Sequence, residues 1–242
     1  MIELGKITYA YGNDTVLRDV SLKVANGKMY GIFGKEGAGK STLLSLMAGA
    51  RELQTGVVRV NGFDLQKESI KAKRCVGYCP QNAVFYPDMT VYELLELVAS
   101  VSGVREDRRF IRIHEWMEQY GLDGARNRRI GGLTPMELFR LKLVQSLVGE
   151  AEILLLDSPT EGLSESDAEL ALEMIRELKG KGKTVFLATA SPNEVALSDD
   201  VWILKDGELT AAESVSDCFD QEPQTEEIAD GETETEREEN EI

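Results

Sequence analysis

Unbroken apolar runs and helically spaced apolar residues alternate along this chain, and together they predict alternating strands and helices. Ile153-Leu154-Leu155-Leu156 is wholly apolar and ends at Asp157. Such a run is a central parallel strand, covered on both faces. Met29-Tyr30-Gly31-Ile32-Phe33 and Thr184-Val185-Phe186-Leu187 read as strands of the same buried kind. Val201-Trp202-Ile203-Leu204 reads as the last strand. Residues 1–30 read as short strands, with Leu17, Val20, Leu22 and Val24 as their apolar positions. Val57-Val58-Arg59-Val60 before Asn61-Gly62 is a strand entering a tight turn, and Cys75 to Cys79 reads as another strand.

Helical spacing appears elsewhere. Thr42 to Met47 carries it directly after a glycine-rich stretch. Thr90-Val91-Tyr92-Glu93 is a capping box, with Leu94, Leu95, Leu97 and Val98 continuing a helix. Phe110, Ile113, Met117 and Tyr120 mark a helix that Gly121 ends, and Leu170, Met174, Ile175 and Leu178 mark another. Strands alternating with helices predict an α/β fold around a parallel sheet. The all-helical stretch from about 88 to 146 reads as an inserted subdomain.

Composition narrows the class. A length of 242 residues suits one α/β domain with insertions. No apolar run approaches transmembrane length, and Met1-Ile2-Glu3-Leu4 lacks the basic and apolar regions of a secretory signal. Three cysteines are too few for a disulfide framework and suit a reducing cytosol. Cys75 and Cys79, spaced C-x-x-x-C, read as reduced cysteines in or near a buried strand rather than a metal site. The single histidine, His114, reads as a helix-surface residue. Net charge is −16, of which residues 220–242 carry −10, from eleven acids against one arginine. The remaining −6 leaves an acidic body, which argues against a nucleic-acid partner. The tail is expected to be disordered. It serves either as a solvated tail or as a docking segment for a basic surface.

The chemistry concentrates in Gly34-Lys35-Glu36-Gly37-Ala38-Gly39-Lys40-Ser41, which fits G-x-x-x-x-G-K-[ST] at every fixed position. The glycines let backbone N–H groups curl around phosphate oxygens. Lys40 reaches the β- and γ-phosphates, and the Ser41 hydroxyl ligates Mg²⁺. A buried strand before the loop and a helix after it put the phosphates on a helix N-terminus.

With these motifs in place, the chain resembles the nucleotide-binding subunits of ABC transporters over about residues 1–217. Tyr11, before Val16-Leu17-Arg18-Asp19-Val20-Ser21-Leu22, matches the aromatic that stacks on adenine. The P-loop follows, Gln81 matches the Q-loop, and Leu156-Asp157 matches the Walker B strand end. The resemblance implies an ABC-type P-loop NTPase. Its central sheet would be mostly parallel, with an N-terminal antiparallel β subdomain, the helical insert, and an acidic tail over 218–242. It implies ATP and Mg²⁺ as cofactors, bound through Tyr11, Gly34, Gly37, Ala38, Gly39, Lys40, Ser41, Thr42, Gln81 and Asp157. Ser41, Gln81 and Asp157 would serve the metal, Asp157 through a water. It also implies an integral-membrane permease and a sister ATP-binding subunit as partners, and a cytoplasmic place on the inner face of the cell membrane. Tyr86-Pro87-Asp88-Met89-Thr90-Val91 is similar to the subgroup that pairs with exporter-type permeases.

The chain departs from the family at four places. Ser158 stands where the family has the glutamate that activates water, and serine has no useful basicity near pH 7. Losing a general base costs about 10²- to 10⁴-fold in rate, or about 3–5 kcal/mol of barrier. Ala190 stands at the switch-histidine position and Ser164 at the D-loop aspartate. Leu133-Thr134-Pro135-Met136-Glu137 replaces the LSGGQ-like signature. There, Thr134 as N-cap, Pro135 as first residue and Glu137 as capping-box partner predict a helix that satisfies its own end. The leading expectation is an ATP-binding subunit with weak hydrolysis of its own. A fully active ABC ATPase and a non-transport ATP-binding switch stay open as alternatives.

Overall fold

The computed structural model describes residues 1–219. It opens with two long strands, β1 (Ile2–Tyr11) and β2 (Asp14–Val24), paired antiparallel. The short strands expected over 1–30 are corrected here, and bulges explain the misreading. The buried positions step Leu4 to Ile7 on β1 and Leu17 to Val20 on β2, three residues where a regular strand steps two. Lys6 and Asp19 take up the extra residue with φ of 51° and 49°.

β3 (Met29–Phe33) leads through the glycine-rich loop to α1 (Lys40–Met47). β4 (Val57–Val60) turns at Asn61-Gly62 into β5 (Phe63–Asp64), and α2 (Ser69–Arg74) follows. β6 (Val76–Cys79) begins one residue after Cys75 and precedes α3 (Val91–Val101), α4 (Glu106–Gln119) and α5 (Pro135–Leu147). Then come β7 (Ile153–Asp157), α6 (Glu165–Gly180), β8 (Thr184–Thr189), α7 (Pro192–Val195) and β9 (Asp200–Lys205). β9 is not the last strand. It turns at Asp206-Gly207 into β10 (Glu208–Ala211), and α8 (Ser216–Phe219) follows. β10 is short and mostly exposed, so it carries no apolar run to read.

A six-stranded sheet runs β10-β9-β3-β8-β7-β6, parallel except for β10. A four-stranded antiparallel sheet runs β2-β1-β4-β5. The apolar run of β7 splits between two cores. Ile153 and Leu155 join the cluster under the antiparallel sheet and α1, while Leu154 and Leu156 join the one beneath the helices α3 to α6. Alternation across a pleat sends successive side chains to opposite faces, so a strand between two cores must be apolar throughout. A third, small cluster holds Phe33, Val195, Ile203 and Cys218. Cys218 therefore packs into the body, and the expected tail over 218–242 lies outside the described residues from position 220 onward. The parallel order places the loops after β3, β7 and β8 at one edge of the sheet, where ligands of open α/β sheets bind.

Candidate functional site

The loop after β3 forms a cradle whose shape depends on its glycines. Gly39 precedes α1 with φ 102°, and a Cβ there would come within 2.8 Å of Val16 Cγ1. A Cβ on Gly34 would meet the Leu204 carbonyl oxygen at 2.6 Å. Lys40 is buried and its ammonium donates to the carbonyls of Gly34 at 2.7 Å and Lys35 at 2.9 Å, bracing the loop. Burial pushes the Lys40 pKa down, while the carboxylates of Asp157, Glu36 and Glu161 oppose that shift. The first turn of α1 has no side-chain cap and no acidic residue. Its N–H groups and the positive end of its dipole are thus open to an anion.

Asp157 ends β7 at 2% exposure. Burial raises its pKa; the Ser41 hydroxyl, the Gln81 backbone and the nearby Lys40 act the other way. Among the described residues its Oδ1 has no hydrogen-bond partner. A buried carboxylate oxygen without a donor is costly unless a cation or water completes it. Hard oxygen groups of this kind suit Mg²⁺, which binds proteins through one or two carboxylates plus substrate phosphates. No cluster of three or more His, Cys, Asp or Glu able to cage a metal exists among the described residues. The donors therefore fit a metal that arrives with phosphate.

An open cleft of about 660 Å³ brings together Tyr11, Gly37, Gly39, Lys40, Ser41, Thr42, Gln81, Ser158 and Ala190. Gly34 and Ala38 shape the loop behind it. The Tyr11 hydroxyl lies 3.2 Å from Thr42 Oγ1, and the Arg51 guanidinium sits 5.1 Å from the Tyr11 ring centre. A larger cleft of about 1020 Å³ lies against the outer side of the loop, by Arg18, Lys35 and Asp206. It lacks Lys40 and Ser41, both of which line the smaller one.

Ser158 sits at φ 44°, a left-handed conformation that is costly for a non-glycine residue and recurs at functional sites. Its N–H donates to the Ala188 carbonyl at 2.8 Å. Ala190 follows β8 and faces the same cleft without a titratable group. His114 lies on α4, exposed, 3.9 Å from Asp123, and lines no part of the cleft. Two cleft carboxylates escaped the sequence reading. The buried Glu194 of α7 accepts from the Thr160 hydroxyl. Glu161 accepts from the Gln81 amide at 2.5 Å. Glu194 sits in a polar stretch after β8, and only its burial reveals it.

The signature-position segment is built as its residue types predict. Thr134 Oγ1 accepts the Glu137 N–H at 3.2 Å and Glu137 Oε2 accepts the Thr134 N–H at 2.8 Å. The Arg128 guanidinium pairs with Glu137 and also donates to the Gly132 carbonyl at 2.7 Å. Ser164 caps α6 through its side chain, accepting the Asp167 N–H at 3.2 Å.

Comparison with known proteins agrees with this architecture. The family model described as ABC transporter matches residues 17–161. The linearmycin resistance ATP-binding protein LnrL of Bacillus subtilis is 29% identical over 218 residues, covering 90% of this chain and 70% of that protein. The ABC transporter ATP-binding protein NatA of the same organism is 30% identical over 208 residues, covering 85% of each. A solved dimeric ATP-binding cassette in a post-hydrolysis state, bound to ADP and Pi, superposes with a TM-score of 0.78 at 25% identity, covering 88% of this chain and 98% of that one. Subunits of this kind bind ATP with Mg²⁺, dimerise and work with membrane permeases. The chain belongs to the ABC transporter family, as one of its ATP-binding subunits.

Proposed function

We propose that this subunit binds Mg-ATP at Lys40, Ser41 and Asp157, hydrolyses it slowly by itself, and acts as one half of a heterodimer on a separate permease. The observation that carries this reading is the pair of helix ends, α1 open and α5 closed. An α5 end that faced a partner's γ-phosphate would need free N–H groups. Pro135 has none, and the Glu137 N–H is already taken by Thr134. The Glu137 carboxylate adds negative charge where phosphate would sit, against the favourable sign of a helix N-terminus for an incoming anion. A homodimer would join two such ends to two sites lacking a base at Ser158 and a switch at Ala190. A sister with an intact signature would instead close over this chain's own ATP.

Among the described residues no helix is long and apolar enough to cross a membrane. Attachment at the cytoplasmic face through an exporter-type permease is part of the same proposal. The experiment is steady phosphate release by the purified protein. We expect it well below 1 s⁻¹, the low end of typical enzyme rates, and Ser158→Glu alone leaves it there because the facing signature is also closed. Release near that rate, abolished by Lys40→Ala, overturns the reading.

A further inference from the structure

The cleft contains a carboxylate that none of its expected duties explains. Ser158 to Glu161 form a single tight turn, closed by the Glu161 N–H donating to the Ser158 carbonyl at 3.2 Å. The turn brings residue 161 back beside the serine, and its side chain lines the same cleft as Ser41, Lys40 and Ser158. There Glu161 Oε2 accepts from Gln81 Nε2 at 2.5 Å. Its charge is also felt by Lys40 and by Asp157, which places it within the field of the cation position.

The direction of that hydrogen bond has a chemical consequence. An ionised carboxylate only accepts, so it can hold only the NH₂ end of the glutamine amide. Two orientations of a glutamine amide are nearly isosteric, and they differ in what they offer a cation. One presents a carbonyl oxygen, a hard ligand for Mg²⁺; the other presents an amide nitrogen, which repels it. The main chain of Gln81 is already anchored. Its backbone lies against the Asp157 carboxylate, and Lys142 Nζ from α5 reaches its carbonyl at 3.5 Å. The side-chain torsions remain free, and the hydrogen bond to Glu161 restrains them with the amide nitrogen toward the carboxylate.

We propose that Glu161 is a positioning residue for the metal: by holding the amide nitrogen of Gln81, it leaves the amide oxygen free for a divalent cation beside Ser41 and Asp157. This rests on the Mg-ATP reading above and names a residue that sets its metal affinity. Partners that orient a metal ligand from behind typically change affinity by 10- to 100-fold when removed. Glu161 does this from an exposed turn, so its loss leaves the fold intact.

The test is the dissociation constant for Mg-ATP, and for ATP in excess EDTA, by isothermal titration of the full chain. Glu161→Ala should weaken Mg-ATP about tenfold without weakening metal-free ATP, and should leave the melting temperature of the nucleotide-free protein unchanged. Glu161→Gln keeps an oxygen that accepts the Gln81 N–H but can also donate to the Gln81 oxygen; with one of the two amide orientations still productive, it should stay within about threefold of the wild type. In a Gln81→Ala background, Glu161→Ala should add almost nothing, because a residue that acts through another loses its effect with it. Equal losses in Glu161→Gln and Glu161→Ala would assign the effect to charge and overturn the proposal. So would additive losses in the double variant, or no loss in Glu161→Ala. If the wild type fails to bind Mg-ATP at all, the nucleotide-binding reading falls, and this inference with it.

Discussion

Lys40 spans its loop before any phosphate arrives, and that is why one substitution there separates binding from folding. Its ammonium braces two carbonyls, at 2.7 and 2.9 Å, and would exchange them for phosphate oxygens. At a concentration about 100 times the dissociation constant, a ligand stabilises the native state by roughly 2.7 kcal/mol. For a domain of this size that is a melting shift of about 5–10 °C. We expect millimolar Mg-ATP to give such a shift and Lys40→Ala to remove most of it, as differential scanning fluorimetry reads directly. No shift in the wild type would contradict the site assignment. Asp157 sets the complementary limit. Its buried oxygen, without a donor among the described residues, makes metal-free ATP a poor match, since an anion would then face an uncompensated carboxylate.

At the scale of elements, α1 and α5 show opposite solutions to the same problem. Each helix leaves its first N–H groups without internal partners. α1 leaves them open, whereas α5 closes them with Thr134 and Glu137, as α3 does with Thr90 and Glu93. Thr134→Ala should cost about 1 kcal/mol, read as a fall of about 2–4 °C in melting temperature. The Thr134 N–H, reinforced by Arg128, holds the Glu137 carboxyl below its ordinary pKa, against a smaller opposing effect of burial. A depressed acid contributes stability above its unfolded-state pKa and loses it as pH falls through the folded value. The gap in melting temperature between the wild type and Glu137→Gln should therefore be present at pH 7 and close below about pH 4. A gap that persists in acid would mean that the carboxylate is not what closes the helix. Opening the end, with Pro135→Gly, Met136→Gly and Glu137→Gln together, should raise ATP-dependent association and turnover in a reconstituted pair. Unchanged turnover there would show that this end does not face the partner's nucleotide.

Across the whole molecule, the helical part is held to the sheet by a close approach of backbones. β6 passes so near α5 that a Cβ on Gly77 would lie 2.1 Å from the Ser146 carbonyl oxygen and 2.8 Å from Leu154 Cδ2. Neither neighbour can move freely, because Ser146 is inside a helix and Leu154 inside a buried strand. Gly77→Ala should cost about 1–3 kcal/mol by overpacking, a fall of several degrees in melting temperature. The helix clamped there, α5, carries both the closed end at Thr134 and Lys142, which reaches the Gln81 carbonyl at the cleft. If Gly77→Ala leaves stability unchanged, the helical part is not clamped to the sheet at this point.

The sequence by itself determined the parts whose physics is local. Glycines at fixed spacing, a run of four apolar residues before Asp157, and Thr and Glu three residues apart at two helix starts each dictate their structure within a few residues. That is why the cradle, the central strands and both capping boxes were legible. Signals that depend on partners were not. The bulges at Lys6 and Asp19 break the two-residue period because each sets an extra residue against the paired strand, and β10 pairs only along the edge of β9. The burial of Cys218 likewise requires Phe33, Val195 and Ile203 from distant segments. The cleft follows the same division. Lys40, Ser41 and Asp157 announced themselves by motif. Glu161 gained its meaning only when a turn at Ser158 and the packing of Gln81, 80 residues earlier, brought a carboxylate and an amide into contact.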